Sequence, residues 1–200
     1  MATEIYLIAP PDAQAGPFGE ILKAVVGEIS VAALLLPRGG RPEAVYRAFV
    51  SEIGFIAQEA GCAVLIDGEP ALARALGVDG LHVEGPTGSA KAAMAALKPD
   101  MIVGGGGVSN RDEAMTKGEL GLDYIMFGPL SGAIAADIRE LAGWWAEAME
   151  IPSVLSDPEA TPETADANGC EFLALGESVW RAADPAAAIA AIATRLESRP

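Results

Sequence analysis

Histidine occurs once in this chain, cysteine twice, and 13 basic side chains stand against 28 acidic ones. Each shortage excludes something. Cys62 and Cys170 belong to no CxxC pair, so neither a thiolate metal site nor a dithiol redox motif is expected, and both read as free buried thiols. A formal net charge of −15 and an isoelectric point near 4.3 set up a field that repels nucleic acid and anionic membranes, so neither is expected as a partner. The longest early apolar stretch, residues 5–10, is too short for a membrane span. It has no basic residues before it and starts after Glu4, so no secretory signal is read and a cytoplasmic protein is expected. No linker, charge block or low-complexity tract divides the chain, which reads as one domain over residues 1–200. No G-x-G-x-x-G with its acidic partner occurs, and no lysine follows Lys117.

What is abundant is repetition. Gly77-Val78-Asp79 leads into the apolar run Gly80–Val83. Gly121-Leu122-Asp123 leads into Tyr124–Phe127, and Gly169-Cys170-Glu171 into Phe172–Leu175. In each copy a helix-ending glycine and an acid precede a strand, and a glycine follows at or just past its end. Between the copies stand Val31–Leu36, Cys62–Ile66, Met101–Val103 and Ile151–Leu155, and Glu4–Ala9 opens the series. Eight short apolar runs, each followed by a helix-compatible segment, predict an α/β fold, a single parallel eight-stranded (βα)8 (TIM) barrel. The runs are nearly continuous rather than alternating, as in strands covered on both faces. Between them, Val45, Phe49, Ile53 and Ile56 form a stripe at helical spacing, and 186–196 is rich in helix formers. Pro42, Pro70 and Asp184-Pro185 mark helix first turns. Of the adjacent Trp144 and Trp145, only one can face fully inward.

A barrel carries its chemistry where the strands end. The eight ends read Ala9-Pro10, Pro37-Arg38-Gly39-Gly40-Arg41, Asp67-Gly68-Glu69, Glu84-Gly85, Gly104–Gly107, Gly128-Pro129, Ser156-Asp157 and Gly176-Glu177-Ser178. Arg38 is the foremost ligand candidate, since a guanidinium is suited to bidentate oxyanion binding. Its competing role is a partner for a neighbouring carboxylate. Arg41, Gly105, Gly107, Gly128, Pro129, Gly176 and Ser178 complete the candidate ligand contacts, the glycines by admitting close backbone approach. Asp67, Glu69 and Glu84 are the acid–base candidates. His82 falls inside the fourth strand, where a packed or hydrogen-bonded core position is expected.

This succession resembles the thiamine phosphate synthase family, including its thiazole tautomerase branch, along the whole chain. The resemblance rests on Ile5-Tyr6-Leu7-Ile8, Arg38, Val64-Leu65-Ile66-Asp67, the stretch from Leu72 to Val83, and Ile151-Pro152. Its most specific mark is Gly121-Leu122-Asp123-Tyr124-Ile125-Met126-Phe127-Gly128-Pro129, set against the family's GADY-x-x-x-GP. It implies a transferase of thiamine biosynthesis that joins an aminopyrimidine pyrophosphate to a thiazole phosphate, with Mg²⁺ assisting pyrophosphate departure.

The positions that the resemblance assigns to this reaction depart from the pattern. The Asn-Asp after strand three falls on Asp67-Gly68, and the second magnesium-binding Asp falls near Pro86-Thr87. The glutamine before the arginine becomes Leu36, and the lysine after it becomes Gly40, with Arg41 a partial substitute. The serine after strand five becomes Gly107, and the tautomerase histidine becomes Ser109. The Thr-x-Thr-Lys loop becomes Leu130-Ser131-Gly132-Ala133, running almost directly into a helix. The paired phosphate glycines become Asp157-Pro158. A carboxylate there repels phosphate, and proline removes a donor. No metal ligand set and no resident cofactor are expected, Mg²⁺ entering only with the coupling reaction. Three readings follow: a family barrel that lost the coupling and binds a related small molecule, a working synthase with altered ligands, or an enzyme of another class using strand-end carboxylates. A monomer and a homodimer are both compatible with the sequence.

Overall fold

The computed structural model describes residues 3–198. Of the domain expected over 1–200, residues 1–2 and 199–200 lie outside the described part. The strands β1 (Glu4–Ile8), β2 (Ala33–Leu36), β3 (Ala63–Asp67), β4 (Gly80–Glu84), β5 (Ile102–Gly106), β6 (Tyr124–Phe127), β7 (Ser153–Ser156) and β8 (Phe172–Leu175) pair in chain order, all parallel, and β8 closes on β1. Around them lie α1 (Ala15–Glu28), α2 (Glu43–Glu59), α3 (Pro70–Leu76), α4 (Thr87–Leu97), α5 (Arg111–Gly118), α6 (Ala136–Ala148), α7 (Glu177–Trp180) and α8 (Pro185–Glu197). This is the expected (βα)8 barrel. No helix among the described residues is long and apolar enough to cross a membrane.

The helices are not distributed as expected. None follows β7; a turn-rich loop runs from Asp157 to Glu171, and β8 is followed by two helices. Pro158 and Pro162 account for this, since each removes a backbone donor and crowds the preceding turn. The loop is tied down from outside instead. Ser178 Oγ donates to Ala160 O at 2.5 Å, and Arg195 Nε donates to Ala165 O at 2.7 Å.

The stripe on α2 holds at Phe49 and Ile53, with Ile56 packed on the core, and fails at Val45. Its buried face runs through Tyr46, Phe49, Val50, Ile53 and Ala57, while Val45, about 100° away around the helix, is 55% exposed. Pro42 precedes the first turn of α2, and Pro70 and Pro185 open α3 and α8. Trp145 is buried and donates to Ile151 O at 2.9 Å, whereas Trp144 lies half-buried under the guanidinium of Arg111 at 4.4 Å. Burial pushes Cys62 up to about 12 and Cys170 up to about 11, so both are neutral thiols.

Period-2 alternation divides the apolar runs between two cores. Leu7, Leu34, Ile66, Val103, Phe127 and Leu173 face the helices, while Tyr6, Leu35, Leu65, Tyr124, Met126 and Val154 fill the barrel.

The sequence repeat has a structural cause at the opposite end from the site. Asp79 N–H donates to Val64 O at 2.9 Å, and Val64 N–H donates back to Asp79 Oδ2 at 2.7 Å. Asp123 and Val103 repeat the exchange at 3.0 and 2.7 Å. Glu171, one methylene longer, accepts from both Ser153 N–H and Ser153 Oγ. Each acid therefore seals an N–H at the start of the preceding strand, that of the second residue in β3 and β5 and of the first in β7. Before each strand the chain turns out of a helix or loop through a left-handed glycine, φ +66° at Gly77, where a Cβ would be strained. Asp79→Ala should cost about 1–3 kcal/mol, the usual penalty for a stranded buried donor. Asp79→Asn keeps an acceptor and should cost less. Urea unfolding separates the two, and equal losses would place the effect on charge instead.

Candidate functional site

The strands run further than their apolar residues. Asp67, Glu84 and Ser156 are the last residues of β3, β4 and β7, and Gly104–Gly106 lie inside β5. Their directions are therefore fixed by the strand pleat rather than by loops. Asp67, His82 and Glu84 all fall on the inward parity and line a cavity of about 460 Å³ at the C-terminal mouth, together with Arg38, Glu69 and Ser89. Leu81, Val83, Ala92 and Ala93 form its apolar wall.

Asp67 Oδ1 accepts the Arg38 backbone N–H at 2.6 Å, which fixes the β2 end against β3. Tyr46 OH donates to Leu36 O at 2.5 Å and lies 3.4 Å from the same Asp67 oxygen. Burial first, and the Asp67 charge second, hold the Tyr46 hydroxyl well above its ordinary value. The Arg38 side chain touches Arg41 O at 3.2 Å through Nε and forms no ion pair among the described residues. It lines the same cavity as Asp67, Glu69 and Glu84.

A second set of polar groups runs from the mouth into the barrel. His82, 1% exposed, has Nε2 at 2.9 Å from Glu84 Oε1 and Nδ1 at 2.8 Å from Tyr124 OH, and Tyr124 OH is 3.1 Å from Tyr6 OH. Burial raises both tyrosine hydroxyls well above their ordinary value. Lys117 reaches the same region from α5, 3% exposed, and donates to Gly106 O. Loss of hydration lowers its ammonium below the usual lysine value, with Glu84 and Glu113 pulling the other way. Gly107, at φ +63°, leaves room for both: a Cβ there would lie 3.3 Å from Glu84 Oε2 and 3.9 Å from Lys117 Nζ.

Several candidates sit elsewhere. Arg41 donates to Ala13 O at 2.6 Å and Pro37 O at 3.1 Å, and stacks 4.1 Å over the Phe49 ring, binding the loops after β1 and β2 together outside the cavity. Gly105 faces the helix layer, where a Cβ would lie 2.8 Å from Leu122, because the pleat turns it away from its neighbours Gly104 and Gly106. Gly128 and Pro129 close against β7, Ser156 Oγ donating to Pro129 O at 2.6 Å. Gly176 packs near Pro158, and Ser178 uses its N–H on Pro158 O and its hydroxyl on Ala160 O. Asp157, 8% exposed, is paired with Arg139.

A family model described as thiamine monophosphate synthase matches residues 5–179. The chain belongs to this family. It is 35% identical over 212 aligned residues to the thiamine-phosphate synthase of Hyphomonas neptunium, covering 98% of this chain and 95% of the relative. To that of Rhodospirillum centenum it is 33% identical, covering 93% and 94%. The solved thiamine phosphate pyrophosphorylase from Pyrococcus furiosus superimposes with a TM-score of 0.80 at 19% identity over 97% of this chain and 95% of that one, a likeness of fold.

The family resemblance implies Mg²⁺. Asp67 Oδ1 and Glu84 Oε1 are engaged by the Arg38 N–H and the His82 ring, and no group of three or more acids, cysteines or histidines among the described residues could hold a metal without oxygens from a ligand, which Mg²⁺ commonly takes. Tyr6, Tyr124, Lys117 and Arg139 were not among the sequence candidates. A buried polar group signals itself in sequence only through a broken apolar run, and Tyr6 and Tyr124 break none.

Proposed function

We propose that this family barrel, as one (βα)8 domain, binds a small nitrogen-bearing molecule carrying little or no phosphate at the mouth beside Arg38, Asp67, Glu69 and Glu84. We further propose that Mg²⁺-dependent pyrimidine–thiazole coupling is not its reaction. One observation carries this reading: the mouth sets three carboxylates against one unpaired guanidinium, a surface that opposes a pyrophosphate and favours a ligand with N–H donors. The β7 and β8 loops support it, because the Asp157–Arg139 pair and the committed donors of Ser178 leave little to offer a phosphate. The ligand would be taken from the cytoplasm by a monomer or homodimer, without nucleic acid or membrane.

Titration calorimetry with an unphosphorylated aminopyrimidine alcohol and with its pyrophosphate ester tests this. The alcohol should bind at least as tightly as the ester, and millimolar Mg²⁺ should leave the melting temperature unchanged. Tighter binding of the ester together with a Mg²⁺-induced rise in melting temperature would refute it. A second reading, a working synthase with altered ligands, is favoured by the 35% identity to a relative so named and by the presence of Arg38 at the β2 end.

A further inference from the structure

We infer that Glu84 is the acid–base group of this pocket, and that Tyr6, Tyr124 and His82 form a one-directional hydrogen-bond chain that positions it. The inference deepens the proposed reading of the same cavity and rests on it. Proton counting sets the direction. Among the described residues Tyr6 OH has one side-chain hydrogen-bond partner, Tyr124 OH, so its proton has one side-chain acceptor available. Tyr124 must then donate to His82 Nδ1, which leaves the imidazole proton on Nε2, aimed at Glu84 Oε1. Run in reverse, the chain would end on a Tyr6 proton with no side-chain acceptor among the described residues, on a residue only 2% exposed. Glu84 thus faces the ring as an acceptor and keeps Oε2 for the cavity. Lys117 Nζ and Glu84 Oε2 both lie beside Gly107, 3.9 and 3.3 Å from where its Cβ would stand.

The glycines of β5 fit this arrangement. A Cβ on Gly106 would lie 1.8 Å from Glu84 Oε1 and 2.8 Å from His82 Nε2, and one on Gly104 would lie 1.9 Å from the Tyr124 ring. The inward side of β5 is empty because the chain of hydrogen bonds occupies that space. The substrate class is a small molecule with an acidic C–H or N–H beside an electron-withdrawing group. Oε2 takes the proton, the bonding pair moves into the substrate, and the proton returns to another substrate atom or to water, with no co-reactant required.

The single histidine makes the test direct. Long-range ¹H–¹⁵N spectra of the ligand-free protein near neutral pH should show the Nε2–H tautomer of His82, and Tyr124→Phe should convert it to a tautomer mixture. An Nδ1–H tautomer in the parent protein, or no change in Tyr124→Phe, would overturn the positioning chain. Being ligand-free, this arm is independent of the proposed binding function. The second arm uses 5-nitrobenzisoxazole, whose C3 proton is removed as the N–O bond breaks to give a nitrile and a phenolate. Its saturable elimination should fall about 100-fold or more in Glu84→Gln. Tyr124→Phe should lower kcat with little change in KM, and Gly106→Ala should fold but lose most of the rate. Elimination unaffected by Glu84→Gln would overturn the assignment of the base.

Discussion

Gly104→Ala should destabilise the barrel by about 3 kcal/mol or more, at or beyond the upper end of ordinary overpacking. The added methyl would meet Tyr124 Cζ at 1.9 Å, Cε1 at 2.2 Å and the hydroxyl at 2.4 Å. Neither side can move away. Gly104 is held in register with His82 on one side and Tyr124 on the other, and the Tyr124 ring is clamped edge-on to Tyr6 and stacked on His82. For a chain of this length the loss amounts to a fall in melting temperature of roughly 6–12 °C. Gly106→Ala gives the contrast. The atoms it would strike belong mainly to the tip of the Glu84 side chain, which is 37% exposed and can swing into the cavity. Its cost should be smaller, about 1–2 kcal/mol, because swinging Glu84 away strands the buried His82 Nε2–H. Parallel urea titrations check both; equal costs would mean that the interior is looser than the contacts describe.

The second large effect is expected at the β7 loop. Arg139 donates to the Asp157 carboxylate and to Asp166 O at 3.1 Å, and its own carbonyl accepts Asn168 Nδ2 at 2.7 Å. Asn168 stands at φ +52°, a conformation that the surrounding contacts must maintain. With the Asp157 side chain 11% exposed, Arg139→Ala leaves a nearly buried carboxylate without its cation. Removing one partner of a buried pair costs about 3–5 kcal/mol, and the 30% exposure of Arg139 places this case near the lower figure. Hydrogen exchange should quicken first across residues 158–169. The double variant Arg139→Met/Asp157→Leu should recover most of the loss, since an apolar pair needs no compensation. A double variant as unstable as the single one would show that geometry specific to the arginine, rather than the orphaned charge, holds the loop.

The barrel was legible because parallel strands covered on both faces write themselves as apolar runs, and β6 and β8 were located to the residue. The runs stop short where function begins. Asp67, Glu84, Ser156 and Gly104–Gly106 interrupt hydrophobicity without interrupting the hydrogen-bond ladder, so strand ends appeared as loops. That difference decides orientation, since in a strand alternate residues face opposite sides. Gly105 and Gly106 therefore part company, one towards Leu122 and the other towards Glu84. The Asp and Glu of the repeat looked like strand punctuation, and the reciprocal bonds with Val64 and Val103 explain why acids were required. Nothing in sequence could join Tyr6 to Tyr124, 118 residues apart, or His82 to Tyr124, 42 apart. Arg41 reads as a second mouth cation beside Arg38, yet its shortest bond is to Ala13 O, 28 residues earlier, which a linear pattern cannot reveal.

Direct assay of the coupling reaction tests the central claim. Purified protein is given the pyrimidine pyrophosphate, the thiazole phosphate and Mg²⁺, and thiamine phosphate is quantified by fluorescence after oxidation. The carboxylate-lined mouth predicts no product above the protein-free blank, in parent and Arg38→Ala alike. Sustained turnover by the parent that disappears in Arg38→Ala would contradict it and establish a synthase working through unfamiliar ligands.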